Sequence, residues 1–363
     1  MKVLLLTLTV LLFAGLLAGC GEDESGPTEA SPEVAATALG GDAYPQWYTV
    51  GWQVDGSWIQ KIDARTGRGT LVTLIDPAYG GYFGYTFDLD GTIYAFPSFY
   101  NNENASVFAN IDMTTGAVTP IGDTPDHPYP YIFAGPDIDS HGNLYVTGFT
   151  VAPPEDPCNY AWWGGFDLWR VNKATGAMEW VGDTSVGEWS DCIPGSWMDL
   201  AFDSQDRLWT TTRNKLFLLD TTDGHVTFVT DVHGVPQDNI PGYECEDDWQ
   251  YIELMNIAFD ENDVLYASAI RGFSPCTEPI NCPVLRIDVN TGDATLIGWT
   301  WLGTPGGGGQ NHGGDIMPQH VTIAHRNPDG QYKEMRIPIE ALQGHLAHGD
   351  YVPGTVGDPN YPR

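Results

Sequence analysis

The chain is short of cations. It carries 15 Lys and Arg against 48 Asp and Glu, a formal net charge of −33 over 363 residues. That balance repels phosphate backbones and anionic membrane surfaces, which excludes nucleic acid as a partner. It fits a secreted protein kept soluble by self-repulsion. Cysteine is scarce as well. There are six, none spaced Cys-x-x-Cys, which argues against a zinc knuckle. No Ser-His-Asp or Cys-His arrangement has a supporting local motif. Asp88-Leu-Asp-Gly opens like an EF-hand loop but lacks the later ligands and the closing Glu, so it reads as a β-turn. Between Gly21 and Asp42 there is no aromatic residue. A stretch so poor in apolar surface cannot fold alone and reads as a tether.

What is present begins with Lys2 and the apolar run Val3 to Leu17, too short to span a bilayer comfortably but suited to a signal-peptide core. Leu17-Ala18-Gly19-Cys20 follows. It resembles a bacterial lipobox, which implies cleavage before Cys20 and lipidation of its sulfur. Residue 21 is Gly rather than Asp, which points to an outer-membrane or cell-surface address. The expected organisation is a signal peptide over 1–19, a tether over 20–44, a folded body over 45–318, a small module over 319–353 and a tail over 354–363.

Two short patterns recur along the body. Tyr85 to Tyr94, Pro136 to Tyr145, Leu200 to Trp209 and Ile257 to Tyr266 each read as a β-hairpin with an acidic turn. Ile62 to Gly67, Ile111 to Gly116, Val171 to Gly176, Leu219 to Gly224 and Ile287 to Gly292 each end a strand in Asp or Asn and a turn in Gly. Asp and Asn start turns, and Gly takes the positive φ that a bulged hairpin needs. Repeats of about fifty residues with four short strands predict β-propeller blades. The expected fold is all-β, five-bladed, with six blades as the alternative. The repeats open mid-blade at Trp47 to Trp52, so the missing innermost strand is expected from the far end, with His312 to Met317 as the candidate. The repeats resemble bacterial secreted propellers near the NHL-like and quinoprotein-like groups, a resemblance that implies fold and little about activity.

The strands of a blade are named a to d from the centre outward. The a–b and c–d turns are tight, and the long insertions are b–c and d–a connections, which share one face. They hold Trp162, Trp163, Trp189, Trp249, Trp299 and Trp301, and the non-lipid cysteines. Cys276 and Cys282 close a short loop and are expected to pair. Cys158 and Cys192 are the second expected disulfide, with Cys245 left over. Exposed tryptophans could stack on sugars; packing between blades is the plainer reading.

Three further groups are candidate sites. Asp199, Asn256 and Asp315 open the channel-lining strand a and could converge on a metal or polar ligand, or simply cap the strands. A carboxylate pair there would suit a hydrolase or lyase. The loop 231–253 holds Asp231, Asp238, Glu244, Glu246, Asp247, Asp248 and Glu253 without a cation, a possible Ca²⁺ or cationic-ligand surface or merely a solvated loop. Finally, five of the nine histidines lie between His312 and His348. Val-Thr-Ile-Ala324-His325 and His345-Leu-Ala-His348-Gly-Asp350 resemble a C-terminal module of bacterial extracellular proteins whose first motif ends Cys-His. Ala324 stands in place of that Cys, and a later Cys is missing too, which implies joint loss of a disulfide. Pro338 to His348 predicts a short helix ended by Gly349, with His345 and His348 on one face. With His325 and Asp350 they could bind Zn²⁺ or Cu²⁺, or form a structural network. The leading expectation is a lipid-anchored binding scaffold for a protein or glycan on the long-loop face. A channel-mouth hydrolase or lyase and a carbohydrate-binding propeller are the alternatives.

Overall fold

The computed structural model describes residues 45–53, 56–79, 82–97, 107–123, 131–150, 164–184, 197, 199–235, 252–271, 282–300 and 310–361. The strands run in chain order as β1 (Gln46–Gln53), β2 (Gly56–Asp63) and β3 (Gly69–Leu74). Next come β4 (Tyr82–Phe87), β5 (Ile93–Pro97), β6 (Val107–Ile111) and β7 (Val118–Asp123). They are followed by β8 (Tyr131–Ile138), β9 (Leu144–Thr150), β10 (Gly164–Val171) and β11 (Met178–Asp183). β12 (Leu200–Phe202), β13 (Leu208–Thr212), β14 (Lys215–Leu219) and β15 (Val226–Asp231) make the next set. β16 (Ile252–Phe259), β17 (Leu265–Arg271), β18 (Cys282–Ile287) and β19 (Ala294–Thr300) make another. β20 (Gln310–Met317), β21 (His320–Arg326) and β22 (Tyr332–Pro338) close the order, with one short helix, α1 (Leu342–Leu346).

These strands form five four-stranded antiparallel sheets, and the protein is a five-bladed β-propeller. The first blade has the order β20-β1-β2-β3, so its innermost strand comes from the far end of the propeller sequence, as expected. The inner strands touch in a ring, β20 to β4 to β8 to β12 to β16 and back to β20. No sheet edge is left at the joint between first and last repeats.

The core is divided among the five joints. Tyr48, Val50 and Ile59 meet Tyr85 and Phe87 at the first. Tyr94, Phe96 and Phe108 meet Phe133 and Leu144 at the second. Leu168 meets Leu200 and Leu208 at the third, Leu216 meets Leu254 and Ile257 at the fourth, and Ala258 and Val284 meet Trp47 and Ile316 at the last. Each fully buried side chain of this kind stabilises by about 1.5–3 kcal/mol. The turns behave as their composition predicts. Asp112 accepts from the amides of Thr114 (2.9 Å) and Thr115 (2.8 Å), and its carbonyl accepts from Gly116 (2.8 Å).

β21 and β22 form a separate hairpin. It packs with α1 around Val321, Ile323, Ile337, Leu342 and Val352, a cluster that Leu89 and Met317 of the propeller join. Arg336 bonds Glu261 at 2.7 Å. Lys173 is fully buried and reaches both Asp88 oxygens (2.8 Å each) and the carbonyl of Gly354 (2.9 Å). Leu89, Glu261 and Lys173 all lie in a–b or c–d turns. The C-terminal residues therefore pack on the tight-turn face, opposite the strand ends from which the long connections leave. Among the described residues no helix is long and apolar enough to cross a membrane.

Candidate functional site

Polar side chains converge at the inner strands. Asp315 accepts from its own next amide, Ile316 (2.6 Å), and from the amide of Phe87 in the next blade (3.0 Å). The Thr86 hydroxyl sits between Asp315 (2.9 Å) and Asp137 (3.1 Å). Asp137 also takes the amides of Ile138 and Phe202, the latter in the following blade. Asp199 takes those of Leu200 (3.1 Å) and Ile257 (3.0 Å). Asn256 accepts from the Trp47 indole at 3.2 Å. Every joint of the ring thus carries one of these bonds.

The expected equivalence of Asp199, Asn256 and Asp315 is corrected by the register. Ile316 opposite Trp47 is level with Phe87, Ile138, Phe202 and Phe259, so Asp315 matches Thr86 and Asp137. Asp199 and Asn256 lie two residues earlier in their strands. In the first blade strands a and b are not consecutive in the chain, so no a–b turn acid fixes the position of Asp315 along its strand. Sequence reasoning therefore missed Thr86 and Asp137. The position two residues before each turn acid holds Thr86, Asp137, Ala201 and Ala258, so the signal is a polar residue there in two blades of four.

Burial dominates the electrostatics here. It pushes the carboxyls of Asp137 and Asp199 well above the usual range, against the amides that favour their charge. Asp315 is raised to about 6 for the same reason. Asp88 also rises to about 6, because burial outweighs the attraction of Lys173. The Tyr85 hydroxyl and the Asn256 amide nitrogen are buried beside this group, and among the described residues neither has a hydrogen-bond partner.

The second cluster lies in the C-terminal module. Ala341 caps α1, and the chain leaves the helix at Ala347 with the His348 amide on the His345 carbonyl (3.0 Å). Gly349 then turns the backbone back with φ +88°, the positive-φ exit that favours glycine after a helix. The turn brings Asp350, rather than His348, against His345. The Nδ1 atoms of His325 and His345 each stand 2.8 Å from the same Asp350 Oδ2. Asp350 Oδ1 takes the Arg326 amide at 2.8 Å. Burial opposes ionisation of Asp350, but that amide and the two imidazoles prevail and hold its pKa at about 2. His325, His345 and Asp350 form the one group among the described residues whose ligand atoms lie close enough to hold a metal ion. His348 is exposed and outside it, a correction to the predicted four-residue set. The helix is shorter than its sequence pattern, so the i, i+3 relation fails. Ala324, at the position of the missing Cys, pairs through its backbone with Tyr351.

Of the acidic loop, Asp231 ends β15 and is paired with Lys215 from the adjacent strand, so it is not an uncompensated acid. Glu253 lies in β16, and Asp238, Glu244, Glu246, Asp247 and Asp248 lie outside the described residues. So do Cys20, Cys158, Cys192, Cys245 and Cys276; Cys282 is buried at the start of β18. Trp299 is half-buried in β19, and Trp162, Trp163, Trp189, Trp249 and Trp301 are outside the described set.

No family model matches the chain, and no curated protein is significantly similar to it. Solved structures do align. A catalytically inactive virginiamycin B lyase from Staphylococcus aureus, with quinupristin, is 13% identical over 82% of this chain and 85% of its own, with a TM-score of 0.36. Regucalcin, a calcium-binding protein from Agrobacterium tumefaciens, is 16% identical over 89% and 96%, with a TM-score of 0.37. A gluconolactonase from Xanthomonas campestris is 12% identical over 77% and 82%, with a TM-score of 0.38. Likeness at this distance carries no argument about chemistry, and the chain's own sheets are what make it a propeller.

Proposed function

We propose that this protein is an extracytoplasmic propeller, anchored by lipid on Cys20, that acts as a binding scaffold for a protein or glycan on its long-connection face. The carrying observation is the commitment of the inner-strand polar groups. Asp315, Thr86, Asp137, Asp199 and Asn256 each hold one blade to the next. Side chains so engaged serve architecture, and function falls to the connections, which are long on one face only. The C-terminal residues cover the opposite face.

A second reading, a hydrolase or lyase at the channel, is favoured by one observation. Asp137 and Asp315 share the Thr86 hydroxyl, and burial raises both. Two carboxyls held above the usual range by burial, bridged by one hydroxyl, are the kind of pair that general acid–base chemistry uses. One experiment separates the two readings. The purified protein and its Asp137→Asn variant are tested on a glycan array and against chromogenic ester, lactone and glycoside substrates. The scaffold reading expects ligand binding in both proteins and turnover in neither. Turnover in the wild type that disappears in a folded Asp137→Asn variant would replace it with the enzyme reading.

A further inference from the structure

We infer that His325, His345 and Asp350 form a binding site for one divalent late-transition-metal ion, with Zn²⁺ as the reference ion. The inference rests on the C-terminal module alone and stands apart from the scaffold reading.

Three elements build the site. β21 supplies His325, the last turn of α1 supplies His345, and the reversal at Gly349 supplies Asp350. The anchoring is firm. The Asp350 side chain is fully buried, and its second oxygen is fixed by the Arg326 amide. The imidazoles are half-open, with side-chain exposures of 37% for His325 and 26% for His345. Their centroids are 5.6 Å apart at 79°, so the rings converge edge to face rather than stacking.

The donor set selects the ion. Two neutral imidazole nitrogens with one carboxylate oxygen suit zinc or copper, whereas calcium and magnesium prefer oxygen alone. Three protein ligands with a solvent-facing side leave a position for water, the pattern of an open zinc site rather than a closed structural one. The fit is close. Zn–N bonds of about 2.0–2.1 Å place tetrahedral ligand atoms roughly 3.3–3.4 Å apart. Both nitrogens now stand 2.8 Å from the carboxylate oxygen, the spacing of N–H···O bonds. The three ligand atoms all lie within 4.8 Å of one another, and seating the ion moves the two nitrogens outward from the carboxylate oxygen toward the tetrahedral spacing. The ion takes the place of the two Nδ1 protons, and each imidazole keeps one proton by moving it to Nε2. No net proton is released from neutral rings. Only the two half-exposed rings have to move, while Asp350 stays fixed by Arg326.

The test uses the full chain, stripped with chelator and dialysed against Zn²⁺ in excess Ca²⁺, which occupies acidic loops. One Zn²⁺ per chain is expected. His325→Gln and His345→Gln should each weaken it by at least the roughly 10–100-fold that loss of an outer partner alone costs at metal sites. His348→Gln should leave it unchanged. Equal zinc binding by wild type and the His325→Gln/His345→Gln double variant would overturn the site, as would a His348→Gln loss as large as that of His345→Gln. If the glutamine variants lose the module's fold by thermal unfolding, Co²⁺ added to the wild type decides. A tetrahedral-type visible spectrum abolished by Zn²⁺ supports the site, and an octahedral, water-like spectrum overturns it.

Discussion

At the scale of single residues, Lys173 and Asp88 form an ion pair closed off from water. The Lys173 side chain is fully buried, paired with a nearly fully buried Asp88, and faced by the rings of Tyr94 and Tyr361. Removing one member of such a pair leaves a charge with no water and no partner. Lys173→Met is expected to cost about 3–5 kcal/mol in denaturant unfolding. The double variant Lys173→Met/Asp88→Leu should recover most of that, since no charge is then stranded. A single-variant cost under about 1 kcal/mol would mean that solvent reaches the pair. Nothing local in the sequence announces this contact. Asp88 reads as a turn residue, which it also is, since its amide bonds Thr92 and its carbonyl takes Gly91. The partner is supplied by a different blade and the tail, and only the folded ring brings them together.

At the scale of elements, the c–d turns were legible because their chemistry is local. An acidic or amide side chain and a glycine within six residues define each one. The demand on the glycine is greater than the turn alone makes. Gly116 has φ +72°, and a Cβ there would lie 1.8 Å from the carbonyl oxygen of Leu74 in the preceding blade. Gly330 has φ +85° with open space around it. Gly330→Ala should therefore cost about 1–2 kcal/mol from the backbone alone. Gly116→Ala should cost clearly more, because two backbones must separate. Thermal unfolding of both variants checks this, and equal costs would remove the inter-blade contribution. What the pattern did not disclose was register. Asp315 lies on the inner strand that no turn joins to its neighbour, so Asp199 and Asp315 looked equivalent while Asp137 and Thr86 went unnoticed. The histidine site was half legible for a related reason. The i, i+3 spacing assumed a helix running through His348, whereas the helix stops at Leu346 and Gly349 redirects the chain.

At the scale of the whole molecule, charge and burial act together on pH dependence. Asp88, Asp137, Asp199 and Asp315 all have folded pKa values raised by burial. A raised acid contributes stability that is full below its unfolded value, near 3.9, and lost as pH climbs through the folded value. For Asp88 and Asp315 that window runs from about 4 to about 6. Asp350 acts oppositely, with stability lost only as pH falls toward about 2. Protonating carboxylates also relieves the self-repulsion of a chain at −33. The melting temperature should therefore be higher near pH 4.5 than near pH 7.5. Scanning calorimetry across that range tests it, and a melting temperature that rises steadily with pH would contradict the burial argument.

The pairing of Gln46 with Met317 also sets how the ring bears mechanical load. The propeller's first and last residues leave side by side on the tight-turn rim. A pull applied upstream of Gln46 is delivered to that rim, and the rim with the long connections faces away from it. β1 is flanked on both sides, by β2 and by β20. Tension along it must shear two hydrogen-bonded ladders at once instead of peeling one edge strand bond by bond. The joint that completes the ring is thus also its handle.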